Sequence, residues 1–127
     1  MAIEVEMIRL IIVEDQPAVR KGLQMRLAAE VDLSVVGYAS NSQTAIDLAM
    51  SLCPEVVLID IDMLHMDGFA TAAALHTLCP QSLIIILSLH DDVLTRTHAK
   101  EVGAAAFITK SLSADRLPAM IRQVAHV

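Results

Sequence analysis

VVLIDIDMLHMDG, residues 56–68, is the stretch on which the fold turns. Val56, Val57, Leu58 and Ile59 favour β structure and run without polar alternation, the pattern of a short strand covered on both faces. Strands of that kind belong to parallel sheets, and parallel neighbours need long crossovers, usually helical, between them. Directly after the apolar run come Asp60 and Asp62, two carboxylates at the end of an element that is otherwise buried.

Outward from this stretch the same unit repeats. Apolar runs at 8–13, 33–39, 83–87 and 105–108 alternate with helical patterns. Val19, Gly22, Leu23, Arg26 and Leu27 share one face at helical spacing, as do Ala45, Leu48, Ala49 and Leu52, and later Leu117, Met120, Ile121 and Val124. Ser42 is placed to cap the second helix, Asp67 to cap the third beside Gly68, and Gly103 to end the fourth, while Pro54 and Pro80 follow helix ends. Pro118 predicts that the last helix starts near Asp115, with the proline in its first turn or, failing that, at a kink. Five βα units with right-handed crossovers are too few for a closed barrel, which takes ~250 residues. The expected architecture is α/β: a flavodoxin-like, doubly wound (βα)5 fold with five parallel strands in the order 2-1-3-4-5.

A chain of 127 residues has room for one core, so residues 8–127 are expected to form one domain and residues 1–7 an N-terminal extension. With 55% hydrophobic but only 2% aromatic residues, that core is aliphatic, its methionines serving as filler. A net charge of −6 argues against a surface that wraps nucleic acid or an anionic membrane. Cys53 and Cys79 have no metal-type spacing and read as reduced, half-buried thiols of a cytoplasmic protein. No apolar run approaches the ~20 residues of a bilayer span, and Glu4 and Glu6 stand where a secretion signal carries positive charge. His65, His76, His90, His98 and His126 show no ligand spacing and read as ordinary surface or helix-face residues.

In an open parallel sheet, ligands bind beyond the carboxyl ends of the strands, where the winding reverses. The first strand delivers Glu14 and Asp15 there, the third Asp60, the fourth Ser88, and Lys110 follows the fifth. Clustered carboxylates take up protons or hold a counter-cation, and a hard-oxygen set without His or Cys fits Mg²⁺ completed by water and phosphate oxygens. Lys110 and the Ser88 hydroxyl would meet phosphate oxygens. The chemistry implied is phosphoryl transfer to Asp60, giving an acyl phosphate whose charge of about −1.5 to −2 can bias a mobile segment such as the Ser88 loop and the fourth helix, near 91–102.

These residues closely resemble the receiver domain of bacterial two-component response regulators, over residues 8–126. Glu14 and Asp15 match the family's acidic pair, Asp60 its phosphorylated aspartate, Ser88 its hydroxyl residue, Phe107 its switch aromatic and Lys110 its lysine. The resemblance implies Mg²⁺ held by Asp15, Asp60 and the backbone carbonyl of Asp62, with Glu14 acting through water. It implies a phosphoryl donor that is a sensor histidine kinase or phosphotransfer protein. Output is then expected through the face of helix four, strand five and helix five, by homodimerisation or release of an effector domain. DQPAVRKGL (15–23), EVVLID (55–60) and GAAAFITKS (103–111) look like the NarL/LuxR-type subfamily, whose receivers usually precede a helix-turn-helix domain. Residues 1–127 contain no such domain, so DNA would be reached only through an effector outside this chain.

Three positions depart from the family. Leu64 stands where proline is usual, which loosens the loop after Asp60. Leu89 stands where a small residue is favoured, and its bulk is expected to narrow access to Asp60. Ser111 replaces a common proline after Lys110, so no cis peptide is expected there. Leu64 and Leu89 keep a second reading open, a receiver-like interaction module that is never phosphorylated, which failure to bind beryllofluoride with Mg²⁺ would favour. A third, from another class, takes Asp60-Ile61-Asp62 as the D-x-D of haloacid-dehalogenase-like phosphatases; those carry the motif after their first strand, whereas here it follows the third. Apart from its own phosphorylation and slow dephosphorylation, the chain is expected not to be an enzyme.

Overall fold

The computed structural model describes residues 6–126, apart from the side chains of residues 111–115. Ten elements alternate: β1 (Ile8–Val13), α1 (Pro17–Ala28), β2 (Leu33–Ala39), α2 (Ser42–Leu52), β3 (Val56–Asp60), α3 (Gly68–Leu78), β4 (Leu83–Ser88), α4 (Val93–Glu101), β5 (Ala106–Thr109) and α5 (Lys110–Ala125). The strands form one parallel sheet in the order β2-β1-β3-β4-β5, as the alternation predicts. Of the expected N-terminal extension, residues 1–5 lie outside the described residues.

Strand parity sorts the core into two layers. Ile11, Val13, Val57, Ile59, Ile84 and Ile86 point towards α2, α3 and α4, meeting Ala45, Ala49, Ala72, Leu75 and Ala99. Their neighbours Leu10, Ile12, Val56, Leu58, Ile85 and Leu87 point the other way, towards Leu27 of α1 and Leu117 and Ile121 of α5. All five residues of β3 are buried, so its lack of alternation reflects helices on both faces. Of the predicted α1 face, only Leu27 is buried; Val19, Gly22, Leu23 and Arg26 line a cavity of about 240 Å³ that reaches Asp60, Leu87 and Lys110. Among the described residues no helix is long and apolar enough to cross a membrane.

Two local expectations are corrected. Asn41, not Ser42, caps α2: its backbone is extended and its Oδ1 accepts from Thr44 N at 2.8 Å. Ser42 is already the first helical residue and cannot occupy the half-in cap position; its hydroxyl meets that of Thr71 instead, joining α2 to α3. The last helix begins at Lys110, not near Asp115, and carries Pro118 in its interior. An interior proline costs roughly 3 kcal/mol. Leu117 and Ile121 on either side are fully buried, and each contributes about 1.5–3 kcal/mol by leaving water, so packing offsets the lost hydrogen bond.

Two glycines are required by geometry. A Cβ on Gly68 would come 2.8 Å from the backbone Cα of Ile61, so only glycine lets α3 start this close behind Asp60. Gly103 closes α4 at φ +89°, and its missing side chain leaves the space filled by the His76 ring. Asp67 caps α3 as expected, accepting from Ala70 N at 3.0 Å. Of the two free cysteines, Cys79 is buried and Cys53 exposed, rather than both half-buried.

Candidate functional site

The reversal of winding lies between β1 and β3, and the polar residues following the strands meet at that end of the sheet. At the end of β1, Glu14 is held by its backbone: its N–H donates to Ala39 O at 2.9 Å and Arg20 Nη1 donates to its carbonyl at 3.2 Å. Its side chain is 1% exposed. Oε1 accepts from Gln16 N at 3.0 Å, while Oε2 is buried without a hydrogen-bond partner. Burial, and after it the neighbouring Asp60 carboxylate, pushes the Glu14 carboxyl up to about 8. Asp15 is similar: Oδ2 accepts from the His65 backbone N–H at 2.7 Å, which ties the loop after β3 to the end of β1, and Oδ1 is buried without a partner.

Asp60 ends β3 and is 2% exposed. Its Oδ1 accepts from Asp62 N at 2.8 Å, and its Oδ2 lies 2.5 Å from Lys110 Nζ. Lys110 is the first residue of α5, directly after β5, so the shortness of that junction delivers its ammonium across β4 to the end of β3. Burial works against the ammonium, but the hydrogen bond and charge of Asp60, and then of Asp62, hold its pKa above the usual lysine value. Ser88 ends β4, fully buried; its Oγ accepts from His90 N at 2.9 Å and donates to Asp62 Oδ1 at 3.4 Å. Asp60, Ser88 and Lys110 are thus gathered around one point, as the strand ends predict.

The predicted metal set behaves differently. Among the described residues no three acidic, His or Cys side chains are gathered into a metal-holding group. The Asp62 side chain faces Ser88 and the Leu89 amide, Asp15 is tied to His65, and Asp60 to Lys110. Glu14 Oε2 and Asp15 Oδ1 remain buried and unpaired. These two oxygens, on adjacent residues at the end of β1, are hard donors of the kind taken by a divalent cation that needs few protein oxygens and keeps its waters.

Phe107 is half-buried on β5 with the Arg96 guanidinium 4.9 Å above its ring, a cation–π contact that joins α4 to β5. Arg96 also pairs with Asp91. Leu89 and Leu64 are 68% and 73% exposed, so both bulky side chains stand out at the rim. Sequence reasoning missed Arg96 and the backbone N–H groups of Leu89 and His65. Amides carry no side-chain signature, and Arg96 reads as an ordinary exposed helix cation until β5 is placed beneath it. His98 and His76 have packing roles: His98 stacks on Phe69 with ring centroids 3.9 Å apart, and His76 lies against Gly103.

Comparison with known proteins agrees with this geometry. The family described as "Response regulator receiver domain" matches residues 10–122. The chain is 30% identical over 119 residues to the transcriptional regulatory protein DegU of Brevibacillus brevis, covering 94% of this chain and 50% of that protein. It is 37% identical over 106 residues to protein-glutamate methylesterase/protein-glutamine glutaminase 2 of Methanospirillum hungatei, covering 82% of this chain and 30% of that protein. The chain therefore spans half or less of the length of these relatives. Among solved structures it superposes on the signal receiver domain of the putative response regulator NarL from Mycobacterium tuberculosis with a TM-score of 0.86 and 28% identity, covering 95% of this chain and 98% of that one.

Proposed function

This chain belongs to the response regulator receiver domain family, and from that premise we propose that Asp60 is its phosphoacceptor. The observation that carries the proposal is the pairing of a 2% exposed Asp60 with Lys110 at 2.5 Å, beside the fully buried Ser88. A carboxylate oxygen of Asp60 attacks the phosphorus of a phosphohistidine, the P–N bond breaks, and the imidazole nitrogen leaves with its electron pair. Lys110 and the Ser88 hydroxyl then meet the equatorial phosphoryl oxygens, where charge is spread in the transition state. Glu14, Asp15, Asp60 and the Asp62 carbonyl would hold Mg²⁺, which supplies further neutralisation of that charge. The two unpaired buried oxygens of Glu14 and Asp15 support this assignment.

The rest of the reading is drawn from membership of the family. The donor is a histidine kinase or phosphotransfer protein in the cytoplasm. Residues 8–127 form the receiver and residues 1–7 precede it. The chain turns over no external substrate: Asp60 is both reactive group and product. Phosphorylation is read out at Ser88, Phe107 and the α4–β5–α5 face, through homodimerisation or an effector domain, and DNA is contacted only through such a domain. Support for Phe107 as part of the switch comes from Arg96, which links its ring to α4.

Intact-mass measurement after incubation with acetyl phosphate tests the acceptor. One phosphoryl group should be gained in the presence of Mg²⁺, and none by Asp60→Asn. Labelling of Asp60→Asn at the wild-type level would reject the assignment.

A further inference from the structure

The phosphoryl-facing donors of this site are already engaged by an anion from the same chain. Asp62 Oδ2 accepts the Leu89 backbone N–H at 2.5 Å and lies 3.4 Å from Lys110 Nζ. Its Oδ1 accepts the Ser88 hydroxyl at 3.4 Å. A hydroxyl, a main-chain amide and an ammonium converge on one carboxylate whose side chain is 15% exposed. Two of them, the Ser88 hydroxyl and the Lys110 ammonium, are the groups that a phosphoryl on Asp60 would need, and Lys110 is shared by both aspartates.

We infer that the Asp62 carboxylate is a built-in resting-state anion that occupies the phosphoryl-oxygen donors and is expelled when Asp60 is phosphorylated. The inference rests on Asp60 being the phosphoacceptor. Phosphorylation replaces the single negative charge of the Asp60 carboxylate with about −1.5 to −2 on the phosphoryl oxygens, and like charges close together in a partly buried site repel strongly. The donors cannot serve both anions at full strength, because a hydroxyl and an amide each carry a single proton to donate.

Expulsion has a mechanical consequence. Asp62 stands two residues after the acceptor, while Leu89 begins the loop from β4 to α4, whose next residue donates to Ser88 Oγ at 2.9 Å. Asp62 therefore ties the loop after β3 to the loop before α4 in the resting arrangement. Its departure frees Ser88 Oγ and Leu89 N together, so loss of one internal anion and gain of the phosphoryl move the same loop. Asp62 is here a positioning residue, holding the donors in a closed arrangement that the incoming group must displace.

The charge, rather than the shape, carries the effect, and this separates the clamp from a structural role. Asp62→Asn keeps an oxygen able to accept from Leu89 N, so a merely structural Asp62 would be replaced without kinetic change. The clamp instead makes Asp62→Asn and Asp62→Ala label with acetyl phosphate about tenfold faster than wild type at saturating Mg²⁺, the gain expected if the open arrangement is populated about one-tenth of the time. Beryllofluoride affinity, read by thermal shift, should rise by the same factor. Wild-type rates or slower labelling in both variants overturn the clamp; slower labelling would instead make the Asp62 side chain a direct aid to the reaction. A wild-type chain that does not label at all refutes the phosphoacceptor reading itself. A thermal midpoint within a few degrees of wild type verifies that each variant is folded.

Discussion

Lys110 Nζ lies 2.5 Å from Asp60 Oδ2, joining the first residue of the last helix to the last residue of the central strand. The pair is asymmetric in burial, Asp60 at 2% and Lys110 at 23% side-chain exposure, so the ammonium reaches in from the rim to meet a carboxylate that cannot move out. Severing it leaves the buried member in place.

Lys110→Ala should therefore destabilise the fold, by about 2–3 kcal/mol, somewhat below the range for fully buried pairs because the lysine is partly solvated. Adding Asp60→Asn should recover most of the loss, since the amide needs no cation. Urea denaturation of both single variants and the double variant measures the coupling. Additive effects of the two changes would show that the pair is not a stability element.

Glu14, as a proposed Mg²⁺ ligand, should couple proton and metal binding. Its carboxyl is pushed up to about 8 from an ordinary value of 4.5, so the folded chain holds this proton more tightly than the unfolded one. The corresponding contribution to stability is fully present below pH 4.5 and is lost as pH rises towards 8. A cation at these oxygens must displace the proton, so Mg²⁺ should bind more tightly at pH 8 than at pH 6 and release protons on binding. Titration calorimetry in two buffers of different ionisation enthalpy reads the release, which Glu14→Gln should abolish.

At the opposite end of the sheet, Arg122 donates to Asp32 through Nε at 2.7 Å and Nη2 at 2.8 Å, and Nη2 also lies 3.3 Å from Glu30. The Arg122 hydrogen bond holds the Asp32 carboxyl below the usual aspartate value. The pair's contribution is present above the unfolded aspartate pKa and is lost as pH falls through the depressed folded value. Arg122→Ala should lower the urea midpoint at pH 7, with a smaller difference from wild type at pH 3. An equal loss at both pH values would assign the effect to packing of the arginine stem.

Gly103→Ala should cost more than His76→Ala. The added Cβ meets two separate objections: the left-handed backbone at φ +89° and the His76 ring packed against it. Strain of the first kind is worth about 1–3 kcal/mol. Combining the changes should restore space but not conformation, so Gly103→Ala/His76→Ala should recover only part of the stability lost in Gly103→Ala, as read from thermal midpoints. Full recovery would mean that the backbone strain is negligible.

Read from residues 56–68 outward, the fold was legible because each layer writes its own period into the chain. Doubly covered strands give unbroken Val, Ile and Leu, helices give a face every three or four residues, and glycine or proline marks most boundaries. The candidate site was legible by residue type, since Glu14, Asp15, Asp60, Ser88 and Lys110 are polar groups placed straight after apolar runs. The errors in placing the elements were local. Asn41 and Ser42 are adjacent capping residues that sequence cannot rank, and Pro118 sits inside α5 because Leu117 and Ile121 are held by the sheet, a long-range packing gain that local propensity omits.

Only the tertiary structure decided which group each polar atom faces. Asp62 reads as one more carboxylate near the site, yet its oxygens turn to Ser88 and the Leu89 amide, while the oxygens left unpaired belong to Glu14 and Asp15. Residue order sets which groups a strand end carries. Rotamer, register and the backbone N–H groups brought up by neighbouring loops set which of them meet, and those depend on contacts between segments far apart in the chain.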